Sequence, residues 1–135
     1  MKNSIQINCA RENLAKVRQF VTESLKSTSL SEIEVNTLVL AVDEVCANVI
    51  IHSADCDSKK SLKVYTDIKS NQAIFEVIDK GIGYDLRSHK MPQLSDIIKS
   101  KRKGGVGLML VQKIMDKIDF IPNTKGNIIR LIKQF

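Results

Sequence analysis

Residues 38–51 read LVLAVDEVCANVII, and eleven of the fourteen are apolar, all but Asp43, Glu44 and Asn48. A helix apolar nearly all round is buried nearly all round. Its few polar groups must then be paired or face a cavity. Glu44 and Asn48 stand at i, i+4 and share one face, and His52 continues that stripe one turn on. Val35, Leu38, Val42, Val45, Cys46 and Val49 fall on roughly the opposite side. One face therefore packs on a sheet, and the Glu44/Asn48 stripe projects elsewhere. Taken alone, the pair reads as a structural i, i+4 contact with a helix-terminal histidine. Taken as pocket lining, the carboxylate suits a general base and the amide oxygen suits a hard cation such as Mg²⁺. Asp43, a further 100° round, is the weaker candidate.

Working outward, Ser31 and Glu34 form a capping box that opens this helix, which the pattern carries to about His52. Upstream, NSIQINC alternates as a half-buried strand over 3–9. Leu14, Val17, Val21 and Leu25 then predict an amphipathic helix over 11–26. Downstream, 61–69 and 72–79 read as a hairpin joined at Asn71. A long loop follows, then a helix from near Val106 to about Lys117, and strands at 118–122 and 127–134 joined through Asn123 and Gly126. The order β-α-α-β-β-loop-α-β-β predicts one α+β domain over residues 1–135, a two-layer sandwich. Its sheet is expected to be mixed but mainly antiparallel, with the helices on one face.

Two glycine motifs lie in the second half. Asp79-Lys80-Gly81-Ile82-Gly83 follows a strand directly. There the carboxylate can accept from an exocyclic amine such as that of adenine, and the glycines permit close backbone approach. On its own the motif is also a common turn. Lys103-Gly104-Gly105-Val106-Gly107-Leu108 opens a helix, where free N–H groups and the helix dipole hold anions. It is neither a P-loop nor a dinucleotide fingerprint.

Charge points the same way. The 135 residues carry a net +6, and Arg87, Lys90, Lys99, Lys101, Arg102 and Lys103 crowd one segment against the single acid Asp96. Basic charge gathered before a glycine cluster suits a small phosphorylated ligand better than nucleic acid, although a solvated basic loop has the same composition. No apolar run reaches the roughly 18–20 residues of a membrane helix, and the N-terminus lacks a secretory pattern. Cys9, Cys46 and Cys56 form no C-x-x-C pair, so a cytoplasmic protein without disulfides or structural zinc is expected.

The motif order is more specific than any one motif. A helix with E-x-x-x-N, a strand ending D-x-G-x-G, a long lid and G-x-G-L opening a helix resembles the GHKL ATPase superfamily. VDEVCANVIIH, ENLAKVRQFVTESL and SLSEIEVNTLVLA resemble its anti-sigma-factor serine/threonine kinase group, over essentially the whole chain. The resemblance implies a Bergerat-type fold, ATP and Mg²⁺ as cofactors, Glu44 as base and Asn48 as metal ligand. It makes Asp79 the reader of the adenine amine, with Gly81 and Gly83 under base and sugar. Gly105, Val106, Gly107 and Leu108 hold phosphate. Lys103, beside Arg102, stands where relatives carry an arginine toward the terminal phosphate. Gly126-Asn127 departs from the usual Gly-Thr. The implied partners are a sigma factor and a STAS-type anti-anti-sigma protein, with a homodimer as one option. A non-catalytic nucleotide-binding module and a detached histidine-kinase catalytic domain are the competing readings.

Overall fold

The computed structural model describes residues 2–53, 59–79, 109–121 and 126–135. Its elements are β1 (Lys2–Asn8), a 3-10 turn (Arg11–Asn13), α1 (Leu14–Ser24), α2 (Glu32–Asn48), a π-helical turn (Val49–Ser53), β2 (Ser61–Lys69), β3 (Gln72–Asp79), β4 (Lys117–Ile121) and β5 (Asn127–Gln134). Residues 109–114 are helical.

The strands form one sheet in the order β1-β2-β3-β5-β4. All four described pairings are antiparallel, so the expected mixed sheet is an antiparallel one among the described residues. β3 alternates strictly between buried and half-buried positions, and β2 does so from Ser61 to Asp67, as strands covered on one face do. Leu62, Val64, Ala73, Phe75, Val77 and Leu131 point into the core, where they join Val17 and Val21 of α1 and Leu38, Val42, Val45 and Cys46 of α2. Thr66 is wholly buried on this face. Its hydroxyl donates to Ser24 Oγ at 3.2 Å, and that hydroxyl donates to the Phe20 carbonyl at 2.9 Å. The polar group is thereby satisfied inside the helix layer.

α2 starts where the capping box places it. Glu34 N–H donates to Ser31 Oγ at 3.1 Å, and Ser31 N–H donates to Glu34 Oε1 at 3.2 Å. Its end differs from the sequence reading. Regular α geometry stops at Asn48, and the next five residues form the π turn. A π turn holds more residues than an α turn. His52 lies in that turn. The first helix likewise begins as a 3-10 turn and is α-helical only over Leu14–Ser24. Lys117 is the first residue of β4, paired with Ile132, and is not the end of a helix. The apolar run around Ile114 and Ile118 fits either element locally, and pairing with β5 decides it. Cys9 and Cys46 are buried free thiols, while Cys56 lies outside the described residues.

Candidate functional site

α2 carries Glu44 and Asn48 on its half-buried side, while Val45 and Cys46 are buried. Asn48 Nδ2 donates to the backbone carbonyl of Glu44 at 2.7 Å. The i, i+4 contact is thus side chain to backbone, and the Glu44 carboxylate is no part of it. With its amine committed to the helix, Asn48 leaves Oδ1 as the carboxamide atom for a ligand.

Two adjacent acids on this helix have different fates. Asp43 accepts from Arg18 Nη1 of α1 at 3.0 Å. Among the described residues no side chain donates to the Glu44 carboxylate. Burial, and next the Asp43 charge, raise the Glu44 carboxyl above its ordinary pKa. A carboxylate with raised proton affinity and no ion-pair partner is the form a general base takes.

The second cluster is built by the sheet. Asp79 ends β3 and is 3% exposed. Its Oδ2 atom is buried without a hydrogen bond, although the residue makes a further interaction. Opposite it, Asn127 begins β5 as its register partner. Gly126 precedes that strand at φ +142°, and a Cβ there would meet Asp79 O at 3.1 Å and Ile78 Cγ2 at 3.2 Å. A side chain at 126 would be strained by the backbone angle and crowded against the end of β3. Glycine lets β5 enter tightly beside Asp79.

The donor set fits the groups that the resemblance implied. A buried carboxylate at a strand end suits a nucleobase amine, and a carboxamide oxygen with its amine already engaged suits a hard divalent cation. Gly81, Gly83, Lys103, Gly105, Val106, Gly107 and Leu108, with the basic segment and the lid, lie outside the described residues. In the sequence Gly126 reads as a turn residue and as the first half of the Gly126-Asn127 departure from the usual Gly-Thr. The signal was its place directly before the last strand, yet its role depends on register across 47 positions, from Asp79 to Gly126. The Arg18–Asp43 pair gave no local sequence signal, because its members sit on different helices.

No helix among the described residues is long and apolar enough to cross a membrane. The family model for the histidine kinase-like ATPase domain matches residues 7–133. An anti-sigma F factor of Clostridium beijerinckii is 28% identical over 126 residues, covering 93% of this chain and 87% of that protein. One from Clostridium perfringens is 26% identical over 102 residues, covering 75% and 73%. Among solved structures, the RsbU and RsbW domains of Rv1364c from Mycobacterium tuberculosis match with a TM-score of 0.68 at 16% identity. That match covers 99% of this chain, which spans 32% of the longer one. This likeness is one of fold. With the family match running from β1 into β5, the chain belongs to the histidine kinase-like ATPase domain family.

Proposed function

We propose that this chain is an ATP-binding anti-sigma regulatory factor that phosphorylates a serine or threonine of an anti-anti-sigma partner. The observation that carries the proposal is the state of Glu44, half-buried, raised in proton affinity and without a side-chain donor among the described residues, one turn from Asn48. Family membership and the anti-sigma F factor relatives support the same reading.

The chain's residues divide the work. Glu44 takes the proton of the acceptor hydroxyl. Asn48 Oδ1 would hold Mg²⁺. Asp79 accepts from the adenine amine and so orients the nucleotide. Gly81 and Gly83 let the backbone lie under base and sugar. Gly105, Val106, Gly107 and Leu108 supply amides, and Lys103 a cation, at the phosphates. Bound Mg²⁺-ATP supplies the transferable phosphoryl group and offsets its charge. Phosphoryl transfer by a kinase is mostly positioning and electrostatics, which this set provides. A sigma factor is the second partner.

The test is incubation with γ-labelled ATP, Mg²⁺ and a STAS-type partner. Acid-stable label on a partner serine or threonine is the expected result. Acid-labile label points to histidine phosphorylation. Tight ATP binding with no transfer points to a regulatory module.

A further inference from the structure

We propose that the exposed line of α2 running from Ile33 through Leu40 to Glu44 is a docking rail for the acceptor protein. Ile33 and Leu40 take two of its apolar side chains and so bring its hydroxyl to Glu44. This rests on the protein-kinase reading above and names what the acceptor must present.

Helix geometry carries the proposal. At about 100° per residue, Ile33, Thr37 and Leu40 all fall within roughly 40° of Glu44 around the helix axis. Ile33 is 79% exposed and Leu40 43% exposed. Their neighbours Leu38, Val39, Ala41 and Val42 are buried, so the packing of α2 leaves this line outside. Thr37 keeps the line apolar in character, because its hydroxyl donates back to the Ile33 carbonyl at 2.7 Å. Among the described residues, the other exposed large apolar side chains are Met109 and Leu110, which belong to a different helix. A single exposed apolar residue needs no explanation. Two in register with a carboxylate that lacks a side-chain donor among the described residues form a continuous surface.

The residue at one end of the line identifies the occupant of the rest. An acceptor hydroxyl has to meet Glu44. The helical rise puts Leu40 about 6 Å and Ile33 about 16 Å from Glu44 along the axis. The acceptor therefore carries apolar side chains at about those distances from its reacting serine or threonine. The flanks add a charge preference. Asp43 is paired with Arg18, so the flank beside Glu44 is close to neutral. Glu32 and Glu34 flank Ile33 and are exposed, which favours a basic acceptor surface beyond the Ile33 contact. A second copy of this chain fits poorly. Laid along its twin in the same direction, the line sets Glu34 against Glu34. Laid in the opposite direction, it sets Glu34 against Glu44.

Transfer from γ-labelled ATP to a STAS-type partner, measured over a range of partner concentrations with the full chain, tests this. Ile33→Gln and Leu40→Gln replace exposed side chains with a residue that helices accept well. Each should raise the partner concentration for half-maximal transfer about five- to tenfold, the loss of one partly buried apolar contact. The rate at saturating partner and the affinity for ATP should not change. Ile33→Leu and Leu40→Met should stay near wild type, because the apolar contact is kept. An unchanged half-maximal concentration in both glutamine variants overturns the proposal. So does a loss of saturating rate or ATP affinity, which would place the residues in the nucleotide site. A change in sedimentation of the variants with partner dependence intact gives the line to a second copy and also overturns it. Failure of wild type to transfer to any partner overturns the kinase reading itself, and this proposal with it.

Discussion

Glu76 and Glu44 are the same residue in two regions of one small fold, and the protein treats them in opposite ways. Glu76 lies on the open face of the sheet, directly across from Arg130 in the register. Arg130 Nε and Nη2 both donate to Glu76 Oε2, at 2.9 and 2.8 Å. Glu44 lies in the helix layer, where burial raises its proton affinity and no described side chain donates to its carboxylate. Its neighbour Asp43 has Arg18. Among the described residues, Asp43 and Glu76 each have an arginine partner and Glu44 has none. Both glutamates are partly exposed, so the arginine partner of Glu76 is what most plainly separates them among the described residues.

The contrast can be broken at several points. The largest effect is expected at Asp79. Asp79→Asn removes a charged acceptor, and hydrogen bonds to charged groups contribute about 1.5–3 kcal/mol. ATP and ADP should both bind roughly tenfold to a hundredfold more weakly in calorimetry. Loss of ATP with ADP spared would move Asp79 to the terminal phosphate. Next comes Gly126→Ala, which forces a side chain into φ +142° and against the Asp79 carbonyl. Backbone strain of this kind costs about 1–3 kcal/mol, to be read as a lower denaturation midpoint. Unchanged stability would mean that the turn relaxes without disturbing the end of β3.

Glu76→Gln should cost less, up to about 1 kcal/mol, because the pair is partly exposed and screened by solvent. Nucleotide affinity should not change. An affinity loss there would dissolve the distinction between the two glutamates. The smallest effect has the opposite sign. A folded-state pKa raised above the unfolded value gives a contribution that is full below the unfolded pKa and is lost as pH rises through the folded pKa. At neutral pH the charged Glu44 is therefore a slight burden on stability. Glu44→Gln should raise the unfolding midpoint slightly at neutral pH, and the gain should vanish in acid. Destabilisation by Glu44→Gln at neutral pH would recast the residue as structural.

Much of this was legible in the chain. The hairpin bounds 61–69 and 72–79 follow from alternation and a polar turn, both local signals. The capping box marked the start of α2, because Ser31 and Glu34 need only each other. The Glu44/Asn48 stripe stood out because a nearly all-apolar helix makes any polar residue conspicuous. What escaped depends on partners far along the chain. The placement of Lys117 in β4 follows from Ile132, and the role of Gly126 follows from Asp79. Arg130 reads as a surface cation until the register sets it opposite Glu76. The π turn after Asn48 has no marker, since VIIHS holds neither glycine nor proline.

The most direct measurement follows bound ATP and transferred phosphate in one sample, under single-turnover conditions, with wild type, Glu44→Gln and Glu76→Gln. Wild type should pass label from ATP to a partner serine or threonine. Glu44→Gln should bind ATP as tightly as wild type and transfer about 10²- to 10⁴-fold more slowly, the usual loss when a positioned base is removed. Glu76→Gln should transfer at the wild-type rate. Transfer by Glu44→Gln at the wild-type rate, or equal slowing in both variants, would contradict the assignment of Glu44 as the base.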